Sequence, residues 1–166
     1  PLKINEDKIN HWNERFKNIL KPKIGLVWSG NPEHKNDHNR SLSLEKLINF
    51  LPKEFEYISL QKEIRDEDKI VLQSSNISFF GDKLKDFEDT AALIQNVDLV
   101  VSVDTSVAHL AGTLNKKTFV LLPFSPDWRW MLNRDDTPWY SSMKFFRQNT
   151  TDDWDDVLNN MSKNIT

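Results

Sequence analysis

The segment whose residue types point most clearly to a chemical role spans residues 98–112, DLVVSVDTSVAHLAG. Its first half is a short run of apolar, β-branched residues, which is typical of a parallel strand buried on both faces. The run stops at Asp104, Thr105 and Ser106, residue types favoured at the start of a helix. In an open α/β sheet such a turn lies where ligands bind, and the unpaired amides of the first helical turn favour an anion. The segment therefore predicts a phosphate site or, if Asp104 simply caps the helix, a turn without a ligand.

His109 lies about one turn into the predicted helix, on the side of this phosphate site. An imidazole there could donate a hydrogen bond to a phosphate or assist a leaving group. The alternative is a buried histidine that hydrogen-bonds to the backbone.

The polar loop at residues 29–41 supplies charged side chains near the same edge of the sheet. Its only glycine is Gly30, so it lacks the glycine patterns of dinucleotide-binding turns and of P-loops. Lys35 and Arg40 could reach an anion, and arginine suits a bidentate grip on phosphate. Alternatively, both are solvated surface residues.

Metal binding has little support from the sequence. His34, Asp37 and His38 have a spacing that could hold a metal, but three candidate ligands in one loop are weak evidence. Cysteine is absent, which excludes disulfides, thiol catalysis and Cys-ligated zinc. We therefore expect no metal site.

The aromatic residues Trp128, Trp130 and Trp139 surround Arg129 in a long loop that follows a strand. Aromatic rings beside a ligand can stack on a base. The alternative, which we favour for at least two of the three, is that they cover an edge of the core.

Apolar periodicity and turn signals predict an alternation of strands and helices over most of the chain. This pattern predicts an α/β fold: a doubly wound, Rossmann-like parallel sheet of five or six strands with 98–103 at its centre. The turns at 29–41, 61–65 and 104–106 should then meet at the carboxyl edge of the sheet. The predicted strands are 24–28, 55–60, 77–80, 98–103, 117–122 and 144–146, and the predicted helices are 5–20, 43–51, 66–73, 86–95, one starting near residue 105, and 152–163.

The chain has 166 residues and a net charge of -3, which suits one well-cored domain without the basic excess of a nucleic-acid-binding protein. We expect an N-terminal helix and linker at 1–22 and a Rossmann-like domain with a C-terminal helix at 23–166. No stretch is apolar enough to span a membrane and no signal peptide is visible, so we expect a cytoplasmic protein. The sequence opens on Pro1, which suggests an excised fragment or a processed chain.

Residues 103–112, VDTSVAHLAG, resemble the D-T-x-x-x-H-x-A motif of the family 9 heptosyltransferases and are similar to the histidine motif of the O-GlcNAc transferases. The chain also resembles the glycosyltransferase-like C-terminal domains of bacterial tetratricopeptide-repeat proteins. That resemblance covers residues 23–160 and rests on KIGLVWSG at 23–30, RS at 40–41, SLQ at 59–61, DT at 89–90, DWRW at 127–130, WY at 139–140 and RQ at 147–148.

The resemblance implies one half of a GT-B fold, the half that binds the nucleotide-sugar donor. It implies that the amides of Thr105 and Ser106 hold the diphosphate, with Arg40 as its side-chain partner. The remaining site residues that it implies are Ser41 and Lys35 beside Arg40, Gln61 near the nucleoside, and Asp104 and His109 in the catalytic motif. Such enzymes need no metal or other cofactor, because helix amides and basic side chains stabilise the departing diphosphate.

In inverting GT-B enzymes the catalytic base usually comes from the N-terminal domain, and only 23 residues precede the first predicted strand at 24–28. We therefore expect the chain to bind a donor and to need an absent N-terminal domain for transfer to an acceptor that the sequence does not identify. GT-B chains commonly cross between their domains here, so we also expect the helices 5–20 and 152–163 to lie close together. The alternative functions are a non-catalytic nucleotide-binding or protein-interaction module and one half of a nucleotide-sugar epimerase.

Overall fold

The computed structural model describes residues 3–33, 37–124, 140–150 and 153–165. These parts contain five strands: β1 (Lys23–Val27), β2 (Glu56–Ser59), β3 (Leu99–Val103), β4 (Thr118–Leu122) and β5 (Met143–Arg147). They also contain α1 (Glu6–Phe16), α2 (Asp37–Arg40), α3 (Leu44–Ile48), α4 (Asp66–Gln73), α5 (Phe87–Ile94), α6 (Ser106–Thr113) and α7 (Asp155–Ile165), with a 3₁₀ turn at Gly81–Lys83.

All five strands are parallel and lie in the order β2-β1-β3-β4-β5, with β3 at the centre. Every residue of β3 and β4 is buried, because helices cover both faces of the sheet. This confirms the predicted Rossmann-like α/β fold. α6 begins at Ser106, one residue after Thr105, as the sequence predicted.

The strand predicted at 77–80 is wrong in extent. Only Ser78 pairs with the sheet, through an isolated parallel bridge to Ile58. The chain turns away at Gly81, where an added Cβ would lie 2.3 Å from the carbonyl oxygen of Lys62. The pairing with β2 thus ends just before this close approach of the two backbones.

The helix termini follow local rules. The Ser43 side chain accepts a hydrogen bond from the amide of Lys46 and caps α3, as expected for a serine at the start of a helix. After α6 the chain passes through Asn115, whose φ of 56° is left-handed, as expected for an asparagine that ends a helix.

The two terminal helices pack on opposite faces of the sheet, so the prediction that they lie close together is wrong. α1 packs on α5, which in turn packs on α6. On that face Ala108 of α6 shares an apolar cluster with Val120. α7 packs on β4 and β5, and its Asn164 accepts a hydrogen bond from Lys144 of β5. Met143 and Phe145 on either side of Lys144 belong to the cluster with Ala108, so Lys144 and α7 lie on the opposite face of the sheet.

No helix in the described ranges combines the length and the apolar character needed to cross a membrane.

Candidate functional site

The carboxyl ends of β1, β2 and β3 open onto one cleft of about 1830 Å³. Residues from all three predicted turns line it. Of the candidate site residues, the lining includes Arg40, Gln61, Asp104, Thr105, Ser106 and His109.

The start of α6 has no side-chain cap. Thr105 is the N-cap residue, with φ -141° and ψ 171°, and its side chain makes no capping hydrogen bond. Its hydroxyl instead lies 3.3 Å from that of Ser102. The Asp104 side chain does not cap the helix either, which removes the interpretation of this turn as an Asp104-capped start. The first amides of a helix have no partner within it, and Thr105, Ser106 and Val107 line the cleft, so amides of this turn could bind an anion there.

Arg40 fixes the loop after β1 to the turn before α6. Its Nη1 donates to the carbonyl of Asp104 at 3.0 Å, and its other nitrogens donate to Asp37 Oδ1 and the Asn31 carbonyl, each at 3.4 Å. The residue is only 9% exposed. Gly30 permits this placement, because a Cβ there would lie 2.4 Å from Arg40 Nη2.

A buried carboxylate, Asp37, joins two arginines. It accepts hydrogen bonds from Arg40, from Arg65 Nη2 and, at 2.8 Å, from the hydroxyl of Ser41. Burial alone would raise the pKa of Asp37, but the hydrogen bonds from Arg65 and Ser41 and the charge of Arg65 outweigh it and lower that pKa. Asp37 thus anchors two guanidinium groups. The oxygens of this carboxylate, a candidate metal ligand in the sequence, already accept hydrogen bonds from protein donors.

Ser41 acts within this anchor. Its hydroxyl also accepts a hydrogen bond from the amide of Gly30 at 3.1 Å. Ser41 therefore links the start of the first loop, at Gly30, to Asp37 near its end.

Gln61 ties the ends of β1 and β2 together. Its Oε1 accepts from the amides of Trp28 at 2.8 Å and Ser29 at 3.1 Å, and its Nε2 donates to the Ser29 hydroxyl and the Glu63 carbonyl. Gln61 borders the cleft with its amide already engaged, and its approach to a nucleoside stays a prediction.

His109 and Asp104 face each other across the first turn of α6. His109 Nε2 lies 3.9 Å from Asp104 Oδ1, an ion-pair distance when the imidazole is protonated. The ring also makes an edge contact with Tyr140, with centroids 5.9 Å apart. Both side chains are partly exposed, but the Nε2 of His109 is itself buried, so the geometry fits the alternative of a buried histidine as well as a role at the phosphate site.

Several candidates lie outside the described residues. These are Lys35 and His34 in the first loop and the aromatic segment that contains Trp128, Arg129, Trp130 and Trp139; the side chain of His38 is likewise not described. Their predicted roles stay predictions.

Sequence reasoning missed Arg65. It precedes α4 at the end of the turn that follows β2, and its Nη2 donates to the carbonyl of Gly30 at 3.0 Å. The available signal was its place in a turn predicted to reach the cleft.

A family model and a solved structure that are similar to this chain both belong to heptosyltransferases. Residues 83–152 match the family model of glycosyltransferase family 9 (heptosyltransferase). Among solved structures, the ADP-heptose LPS heptosyltransferase II of E. coli is similar, with a TM-score of 0.56 and 14% identity. That match covers 90% of this chain but 45% of the heptosyltransferase, so the chain spans less than half of its structural relative. No curated protein matches significantly. The chain is thus a GT-B-like, Rossmann-type domain that resembles the heptosyltransferases of glycosyltransferase family 9.

Proposed function

We propose that this chain is the donor-binding half of a glycosyltransferase and that it holds the diphosphate of a nucleoside diphosphate sugar over the start of α6. The observation that carries the proposal is the uncapped helix start, which presents the amides of Ser106 and Val107 to a cleft. The helix dipole and these donors both favour an anion there. The family 9 match over residues 83–152, which include this turn, points to the same class of ligand.

Basic side chains complete the proposed anion site. Arg40 braces the turn through the Asp104 carbonyl, and Lys62, Arg65 and Lys85 also line the cleft. In the proposed reaction these groups stabilise the negative charge that develops on the leaving diphosphate. Lys35, from the same loop as Arg40, is proposed as a further contact.

His109 and Asp104 are proposed as the catalytic pair. An imidazolium held near Asp104 would donate a proton or a hydrogen bond to the departing phosphate oxygen. Transfer would require a second domain to supply the catalytic base and the acceptor. On this proposal, His109→Ala lowers turnover by the full-length protein more than it lowers donor binding.

Ser106→Pro tests the proposed anion site. Ser106 is the first residue of α6, where proline is tolerated, and the extended Thr105 before it suits a following proline. The variant removes one ligand amide, so we expect nucleoside diphosphate affinity to fall by about tenfold with little change in stability. Titration calorimetry with ADP, UDP and GDP measures this.

The matched control is Glu6→Pro. Glu6 is the first residue of α1 and does not line the cleft, and Asn5 before it caps the helix by accepting a hydrogen bond from the amide of Asp7. This variant should leave binding unchanged. Equal affinity in wild type and Ser106→Pro would place the ligand elsewhere and contradict the proposal.

A further inference from the structure

The two arginines anchored by Asp37 differ in what they have left to offer a ligand. Each nitrogen of Arg40 already donates to a protein oxygen, and only 11% of its side chain is exposed. Arg65 uses Nη2 alone, on Asp37, the Gly30 carbonyl and the Ser41 hydroxyl, and 26% of its side chain is exposed. Arg40, which the sequence suggests as the phosphate ligand, thus has fewer hydrogen-bond donors left for a ligand than Arg65 has.

The free donors of Arg65 belong to Nη1. Its Nε is buried and has no partner among the described residues, so a ligand in the cleft cannot reach it. Nη1 makes no hydrogen bond to any residue that the structure describes, and Arg65 lines the cleft. This nitrogen carries two N–H groups, both suited to phosphate oxygens.

The charge balance of the anchor favours an anion. Arg40 and Arg65 bring two positive charges, and Asp37 neutralises one of them. Because the hydrogen bonds from Arg65 and Ser41 and the charge of Arg65 lower the pKa of Asp37 despite its burial, Asp37 stays ionised at neutral pH and keeps both guanidinium groups in place. One positive charge therefore remains on a preorganised wall of the cleft.

The position of Arg65 sets which phosphate it can reach. Arg65 donates to Gly30, Arg40 lies against Gly30, and Arg40 donates to the Asp104 carbonyl just before α6. Gly30 and the Arg40 guanidinium thus connect Arg65 to the turn before α6. This arrangement suits two linked phosphates, one at the α6 amides and one at Arg65.

We infer that Arg65 binds the phosphate of the donor that lies farther from α6, and that it makes the site selective for nucleoside diphosphates over monophosphates. The inference rests on the proposed function and assigns the second phosphate to a residue outside the D-T-x-x-x-H motif.

Arg65→Lys tests the inference. Lysine keeps a cation beside Asp37, but its single nitrogen cannot hold Asp37 and a phosphate as Nη2 and Nη1 do together. We expect affinity for ADP and UDP to fall by about tenfold and affinity for AMP and UMP to stay within about twofold, so that selectivity for the diphosphate shrinks about tenfold. The matched control is Lys69→Arg, a reciprocal exchange on α4 outside the cleft lining, which should change neither affinity.

The outcomes separate this inference from the proposed function. If wild type binds diphosphates, Ser106→Pro weakens them and Arg65→Lys does not, the inference is wrong and the proposed function stands. If Arg65→Lys lowers monophosphate and diphosphate affinity equally, together with the melting temperature, Arg65 is structural and the inference is again wrong. If wild type binds neither class, the proposed function and the inference fail together.

Discussion

Three helices of eight residues each begin at the cleft, α4, α5 and α6, and their starts are built differently. α4 has no side-chain cap but carries three acidic residues in its first turn, which disfavours an anion there. α5 is closed by a capping box: Asp86 accepts from the Asp89 amide, and the Asp89 side chain accepts from the Asp86 amide. α6 begins with no side-chain cap at all. The helix that satisfies its own amides gains stability, whereas α6, which leaves them open without such acidic residues, is the proposed binding site.

Giving α6 a cap should have the largest effect. Thr105→Asp places a carboxylate at the N-cap, where it competes for the same amides and repels a phosphate. We expect affinity for nucleoside diphosphates to fall by more than about tenfold, measured by calorimetry. Thr105→Ser, which keeps a hydroxyl, is the control and should bind like wild type. If the aspartate variant also binds like wild type, the open start of α6 has no part in binding.

Removing the cap of α5 should cost stability instead. Asp86→Ala deletes the side-chain acceptor for the Asp89 amide, a loss of about 1 kcal/mol. For a domain of this size we expect the melting temperature to fall by about 2–4 °C, with nucleotide affinity unchanged. A large loss of affinity without a loss of stability would mean that α5, rather than α6, holds the phosphate.

The smallest effect should depend on pH. Burial alone would raise the pKa of Asp89, but hydrogen bonds from Lys8 and from the amides of Lys85 and Asp86 outweigh it and lower that pKa. A carboxyl whose pKa is lower in the folded state stabilises the protein fully above its unfolded pKa and loses that contribution as the pH falls. We expect Asp89→Asn to cost about 1 kcal/mol or less at neutral pH and progressively less below about pH 4.

Urea unfolding of wild type and Asp89→Asn at several pH values measures this difference. Lys8→Met, which removes the partner on α1, should reduce the pH dependence of wild type. A stability difference that is constant down to acid pH would show that the Lys8 contact does not set the ionisation of Asp89.

The elements that sequence predicted well are those encoded locally. The apolar run of β3 and the small residues of α6 specify a strand followed by a closely packed helix, and both form where expected. The convergence of three turns follows from parallel topology alone. The strand expected at 77–80 shows the limit of this reasoning, because the contact of Gly81 with Lys62 ends it.

The details of the site could not be predicted, because they depend on contacts between distant parts of the chain. α2 is a four-residue helix in a polar loop, and Asp37 at its start is held by Arg65, 28 positions away. Arg40 was identified correctly as a residue of the cleft, but no local pattern shows that its donors are spent on Asn31, Asp37 and Asp104.

The central strand pair also constrains how the protein is made. The amide of Lys23 donates to Asp98, 75 residues later, and Ile24 pairs with Leu99. During synthesis β1 and β2 leave the ribosome well before β3. The apolar β1 therefore stays unpaired on the side that β3 later occupies. Pairing over such a separation is slow and leaves strand edges exposed. The proposed phosphate site is therefore completed only when the second half of the chain has been made.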